Sequence, residues 1–156
     1  MRILALSLTA ALASGVLAPE AARPEPSSPA VEERRPSPAV TDAEGEYNRG
    51  LRARVARDWT EAVSAFRQAL ALRSDFADAW NELGYAFRNQ GRYPESLDAY
   101  HEALRLRPDF PEALEYLGEA YVKMGRLDDA RRTLDRLRPL DPHRADELSE
   151  EIAKSK

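Results

Sequence analysis

From residue 43 onward the apolar positions follow a helical rhythm. Trp80, Leu83, Gly84 and Phe87 fall at i, i+3, i+4 and i+7, one stripe of a helix. Leu97, Tyr100 and Leu104 make a second stripe, and Ala99 and Ala103 beside it are small enough to lie under a neighbour. Gly91-Arg92 separates the stripes, and Pro94 suits the first turn of the second helix, where its missing N–H is not needed. Arg107-Pro108 ends that helix, because the residue before a proline is pushed away from helical angles. The pattern predicts a helix hairpin over residues 77–110.

The hairpin recurs with a step of 34 residues. Gly50, Gly84 and Gly118 share that step, as do Ala62, Ser96 and Ala130, then Phe66, Tyr100 and Leu134, then Leu72, Leu106 and Leu140. Trp59, Tyr93 and Leu127 keep it too, with Gly91 and Gly125, and Pro108 and Pro142. So many positions in one register mark a repeat architecture. A glycine inside a helix costs about 1 kcal/mol relative to alanine. Its return as Gly50, Gly84 and Gly118 therefore implies a compensating need, a close approach of the paired helix. Such hairpins bury their apolar faces only by stacking, which predicts an all-α, right-handed superhelical solenoid. The units are 43–76, 77–110 and 111–142. Asp141 and Pro142 then open a capping helix over 142–156, with Ala145, Leu148 and Ile152 as its apolar stripe.

The second unit resembles a tetratricopeptide repeat through Trp80, Leu83, Gly84, Phe87, Tyr100, Ala103 and Pro108. The third resembles it through Leu114, Leu117, Gly118, Tyr121, Ala130, Leu134 and Pro142, and the first keeps Gly50, Ala62, Phe66 and Ala69. The first unit departs from the pattern, with Glu46 and Arg49 where the large apolar pair belongs and Arg57 where the others have Gly91 and Gly125. Terminal repeats are often atypical, since one face meets water.

The first 42 residues have a different composition. All twelve aromatic residues lie between Tyr47 and Tyr121. Residues 1–18 join one arginine to a short apolar run and small residues, the pattern of a signal peptide cut after Ala18, with Gly15 and Ala22 as alternatives. An uncleaved anchor is the other reading of this run, although ~20 apolar residues are needed for a comfortable membrane span. Residues 19–42, with Pro19, Pro24, Pro26, Pro29, Pro36 and Pro38 and few bulky apolar groups, read as a disordered proline-rich linker. The expectation is export, to a bacterial periplasm or the medium, with no stable membrane span after cleavage.

Composition then removes several functions. A net charge of −4 argues against nucleic acid as partner. The absence of cysteine leaves no disulfide, thiolate site or thiol nucleophile. His101 and His143, the two histidines, have no second ligand at helical spacing, so neither a metal nor any other cofactor is expected. No phosphate loop or nucleophile elbow occurs, and the chain reads as non-catalytic.

Binding is the function that the resemblance implies. In the family the first helix of each hairpin lines a concave groove that holds an extended or helical segment of another protein. Carried over unit by unit, the groove residues are Tyr47, Leu51 and Arg54 with Glu44 and Val55, then Asp78, Asn81, Tyr85, Arg88 and Asn89, then Glu112, Glu115, Glu119 and Lys123 with Val122. Asparagines suit a peptide backbone, tyrosines offer flat area with a polar tip, and the glutamates would favour a basic segment. Plain solvated helix faces are the alternative. Family members that hold the terminal carboxylate of chaperones use a basic clamp, where this chain has Tyr47, Leu51, Glu82, Glu112 and Tyr116. A structural role, in which Tyr47, Leu51 and Val55 pair with a second copy, is the rival reading.

Overall fold

The computed structural model describes residues 38–155, with side chains from 42. The proposed leader and residues 19–37 of the linker lie outside the described residues. Seven helices and no strand occur among the described residues. They pair as α1 (Pro38–Val55) with α2 (Trp59–Leu72), α3 (Ala77–Asn89) with α4 (Tyr93–Leu106), and α5 (Pro111–Lys123) with α6 (Leu127–Leu137), before α7 (Pro142–Lys154). The helix α1 starts at Pro38, so residues 38–42, read from their prolines as linker, are helical. Proline fits there because the first turn of a helix leaves its N–H groups unpaired in any case.

Each hairpin turns by the same device. The N–H groups of Asp58, Arg92 and Arg126 donate to the carbonyls of Ala53, Phe87 and Tyr121, all at 2.9 Å. This closure needs a left-handed residue one place earlier. Gly91 (φ 73°) and Gly125 (φ 71°) supply it, and in the first unit Arg57 is held at φ 56°. Asp58 compensates locally, since its carboxylate accepts the Glu61 N–H at 3.0 Å and caps α2. Asp141 caps α7 in the same way through the Arg144 N–H at 3.1 Å.

The hairpins stack so that α1, α3, α5 and α7 form one layer and α2, α4 and α6 the other. Phe66, Leu83, Phe87 and their neighbours fill one part of the core, and Tyr100, Leu114, Leu117 and Leu148 fill the next. Trp80 packs against both parts and makes the core continuous. In the first unit Glu46 and Arg49 replace the apolar pair with an ionic one, and Arg49 also reaches Glu61 at 2.8 Å.

The recurrent glycine is where helices meet. A Cβ on Gly84 would stand 2.7 Å from the ring of Tyr100, and one on Gly50 would collide with the ring of Phe66. Both rings are fully buried. The third unit differs, because Gly118 is covered by the methyls of Leu148 from α7 rather than by its paired helix. Leu134, shorter than the rings it replaces, leaves that space to the capping helix.

The proline register also changes there. Pro108 follows α4, whereas Pro142 lies in the first turn of α7 and does not repeat the role of Pro108. Pro139, which has no N–H to continue the helix, follows the end of α6 at Leu137, and α7 begins at Pro142. Leu140 is exposed, as is Leu72 at the same register position of the first unit.

Gly84→Ala gains up to about 1 kcal/mol of helix propensity but overpacks a caged ring, for a net loss of about 1–2 kcal/mol in urea unfolding. Gly118→Ala meets the branched tip of Leu148, which turns more easily than a caged ring, and is expected to lose less than Gly84→Ala. Arg57→Gly relieves a left-handed non-glycine residue and should stabilise by about 0.5–1 kcal/mol, seen as a higher Tm.

Candidate functional site

Residues of the first-helix layer, with Trp59 of α2 and Tyr100 of α4, assemble into a chain of rings and guanidinium groups. The ring centroids of Trp59 and Tyr85 are 5.9 Å apart, those of Tyr85 and Tyr116 are 5.1 Å apart, and Tyr116 reaches Tyr100 at 6.2 Å. Arg54 lies 4.6 Å over the Tyr85 ring, and Arg88 lies 5.1 Å from both Tyr85 and Tyr116. Cation–ring contacts of this kind contribute about 0.5–1 kcal/mol each where exposed.

The same arginines pair with carboxylates on the next helix. Arg54 of α1 donates to both oxygens of Glu82 on α3, at 2.8 and 3.0 Å. Arg88 of α3 pairs with Glu119 of α5, and Arg144 of α7 pairs with Glu115 and, at 3.2 Å, with Glu112. Every neighbouring pair in the layer is thus tied by an arginine and a carboxylate. A second ladder runs along the layer's other edge, where Arg73 meets Glu44 at 3.3 Å and Arg107 meets Asp78 at 2.7 Å.

This arrangement changes the expected groove. Asn81 and Glu115 do not line an open stripe: they are 2% and 6% exposed. The stacking of first helices side by side covers the position that follows Trp80 or Leu114. Asn89 is exposed, but its amide donates to the Tyr85 carbonyl of its own helix at 2.8 Å. Lys123 is exposed. The glutamates that would favour a basic segment already hold arginines: Glu112 and Glu115 hold Arg144, and Glu119 holds Arg88. Of the residues that motivated pairing with a second copy, Tyr47 and Leu51 pack against this chain's own core, and Val55 alone is left in solvent at 85% exposure.

What remains open is a pocket of about 650 Å³ between the C-terminal halves of α1 and α3, lined by Leu51, Arg54, Val55, Arg57, Trp59, Tyr85 and Asn89. Leu51, Arg54, Tyr85 and Asn89 come together as the repeat alignment expects. The alignment of first helices does not lead to Trp59 and Arg57, whereas Glu82 and Tyr116, in the layer beside the pocket, stand at the positions of the basic clamp. The signal for Arg57 was present in the 34-residue register, where it stands in place of Gly91. A second gap of about 450 Å³ opens between α2 and α4, floored by Trp80, Leu83 and Phe87. There Trp80 is anchored, its indole N–H donating to the Ser74 carbonyl at 2.9 Å.

Burial dominates the acid–base properties of the layer. It raises the Glu82 carboxyl above its usual range despite the opposing Arg54, and raises Glu115 despite Arg144. Tyr47 is pushed up to about 12, first by burial and then by the charges of Glu82 and Asp78. His101 sits 3.1 Å from the Tyr121 hydroxyl, and among the described residues no three His, Asp or Glu side chains gather as a metal site. No described helix is long and apolar enough to cross a membrane.

Comparison with known families and structures agrees with this architecture. Models of the tetratricopeptide repeat match residues 47–100 and 112–139, and a further TPR repeat model matches 84–125. Among solved structures, the TPR domain of Arabidopsis OM64 is similar at 18% identity and TM-score 0.72, over 76% of this chain and 99% of that one. The TPR2B domain of yeast Sti1, solved in a pHsp70 complex, shares 20% identity over 74% of this chain and 99% of that chain, at TM-score 0.71. The second TPR domain of human RPAP3, solved with the HSP70 peptide SGPTIEEVD, shares 19% over 75% and 97%, at TM-score 0.69. A search of curated proteins gave no match.

Arg54→Ala leaves Glu82, whose side chain is 10% exposed, without its cation, at a cost of about 1–3 kcal/mol near neutral pH. A carboxyl whose folded pKa is raised binds more protons folded than unfolded, so stability falls as pH rises through that value. The loss in Arg54→Ala should therefore shrink from pH 7 toward pH 5. Urea unfolding at the two pH values checks it, and an equal loss at both would contradict the assignment.

Proposed function

We propose that this chain, which belongs to the tetratricopeptide-repeat family, is a non-catalytic interaction module that holds a peptide segment of another protein against its first-helix layer. The fold is in general a scaffold for protein contacts, and the yeast and human neighbours were solved with chaperone peptides. Their mode of binding does not carry over. At the positions of the basic clamp this chain has Tyr47, Leu51, Glu82, Glu112 and Tyr116, and both glutamates already hold arginines.

The observation that carries the proposal is the pocket at Leu51, Val55, Trp59 and Tyr85. Val55 stands in water at a site rimmed by an indole and a phenol, where an incoming apolar side chain would gain burial on several sides. The segment is anchored by one bulky apolar residue, with Asn89 and the Tyr85 edge beside it. We place this activity outside the cytoplasm, on the strength of the leader-like residues 1–18.

Selection of random displayed peptides on the full chain is expected to enrich sequences that share one bulky apolar residue. Val55→Asn should weaken the selected peptides roughly ten-fold through lost apolar contact. Leu72→Asn, an equally conservative change at an exposed leucine far from the pocket, should leave binding intact. Absence of any enriched peptide, or equal loss in both variants, would contradict the reading.

A further inference from the structure

Arg57 is the least explained residue of the pocket. It occupies the left-handed turn position that glycine fills in the other two hairpins, at φ 56° against 73° and 71°. A non-glycine residue there is strained, and such strain gathers where a side chain is needed. Its guanidinium is exposed and makes no ion pair among the described residues, in a chain where most arginines of the layer are paired. Asp58, its chain neighbour, is turned to the start of α2, where it accepts the Glu61 N–H.

The pocket's charge is one-sided. Two arginines and no carboxylate line it, because Glu82 lies buried beneath Arg54. Arg54 is neutralised by that contact, so the uncompensated charge at the rim is that of Arg57.

Resting on the pocket reading above, we propose that Arg57 is a specificity-determining residue, and that the partner segment carries a side-chain carboxylate next to its apolar anchor. The anchor enters between Val55, Trp59 and Tyr85, and the carboxylate meets the Arg57 guanidinium at the rim. This reverses the preference for a basic segment suggested by the glutamate-rich third unit, since those glutamates hold arginines of their own. A guanidinium suits the task because its fork of N–H groups matches both oxygens of a carboxylate.

The test uses the full chain and short synthetic peptides that share one phenylalanine and differ only in flanking glutamate, glutamine or lysine. Calorimetric titration should give the glutamate peptide about five-fold tighter binding than the glutamine peptide, with lysine weakest. The gap should narrow with salt. Arg57→Gly restores the residue of the other hairpins, so it should raise Tm and bring the glutamate and glutamine peptides to equal affinity. Arg57→Lys should keep part of the preference. A lysine peptide that binds as well as the glutamate peptide, or a preference that survives Arg57→Gly, would overturn the assignment while leaving the pocket standing. If none of the peptides binds the wild-type chain, the pocket reading fails and this inference with it.

Discussion

The close approach of a ring to a glycine sets the geometry of this molecule. Phe66 over Gly50 and Tyr100 over Gly84 bring the two helices of a hairpin nearer than any larger residue would permit. That distance fixes how each hairpin presents its first helix to the next, and so the spacing of the layer in which the pocket lies. The glycine loses helix propensity of its own, and burial of a whole aromatic ring against it offsets that loss. At the third hairpin the contact passes to Leu148 of the capping helix, which is how a repeating array is closed without another repeat.

Charge is arranged on this frame with the same periodicity. The chain is acidic, but the carboxylates at the centre of the layer serve the protein itself. Glu82, Glu119, Glu112 and Glu115 stitch one first helix to the next through an arginine, and two of those arginines, Arg54 and Arg88, lie over tyrosine rings. At the pocket this leaves apolar and aromatic groups with one cation, Arg57, that holds no carboxylate among the described residues. On the proposed reading, such a module recognises its ligand by an anchor and a single charge rather than by a charged strip.

Much of this was legible in the sequence. The 34-residue step of Gly50, Gly84 and Gly118, and the stripes of Trp80–Phe87 and Leu97–Leu104, were enough for the helices, their pairing and the stacked architecture, because periodicity reports burial directly. The site was legible only in part. Leu51, Tyr85 and Asn89 follow from register alone, but Asn81 and Glu115 occupy equivalent positions and are buried, since the side-by-side contact of first helices is a property of the stack rather than of one helix. Trp59 belongs to a second helix and enters the pocket from behind, which no single-helix stripe could indicate. Arg57 was visible as a departure from glycine, and its meaning emerged only from its backbone angle and its lack of a partner.

The central claim is that ligand enters between α1 and α3 and not through the gap floored by Trp80. The two tryptophans report the two places separately, each through one indole N–H resonance. Titrating a selected peptide into the full chain, followed by NMR, should shift the Trp59 indole saturably. The Trp80 indole, held by the Ser74 carbonyl, should stay where it is. Movement of Trp80 with Trp59 unchanged would place the ligand on the opposite layer and contradict the account.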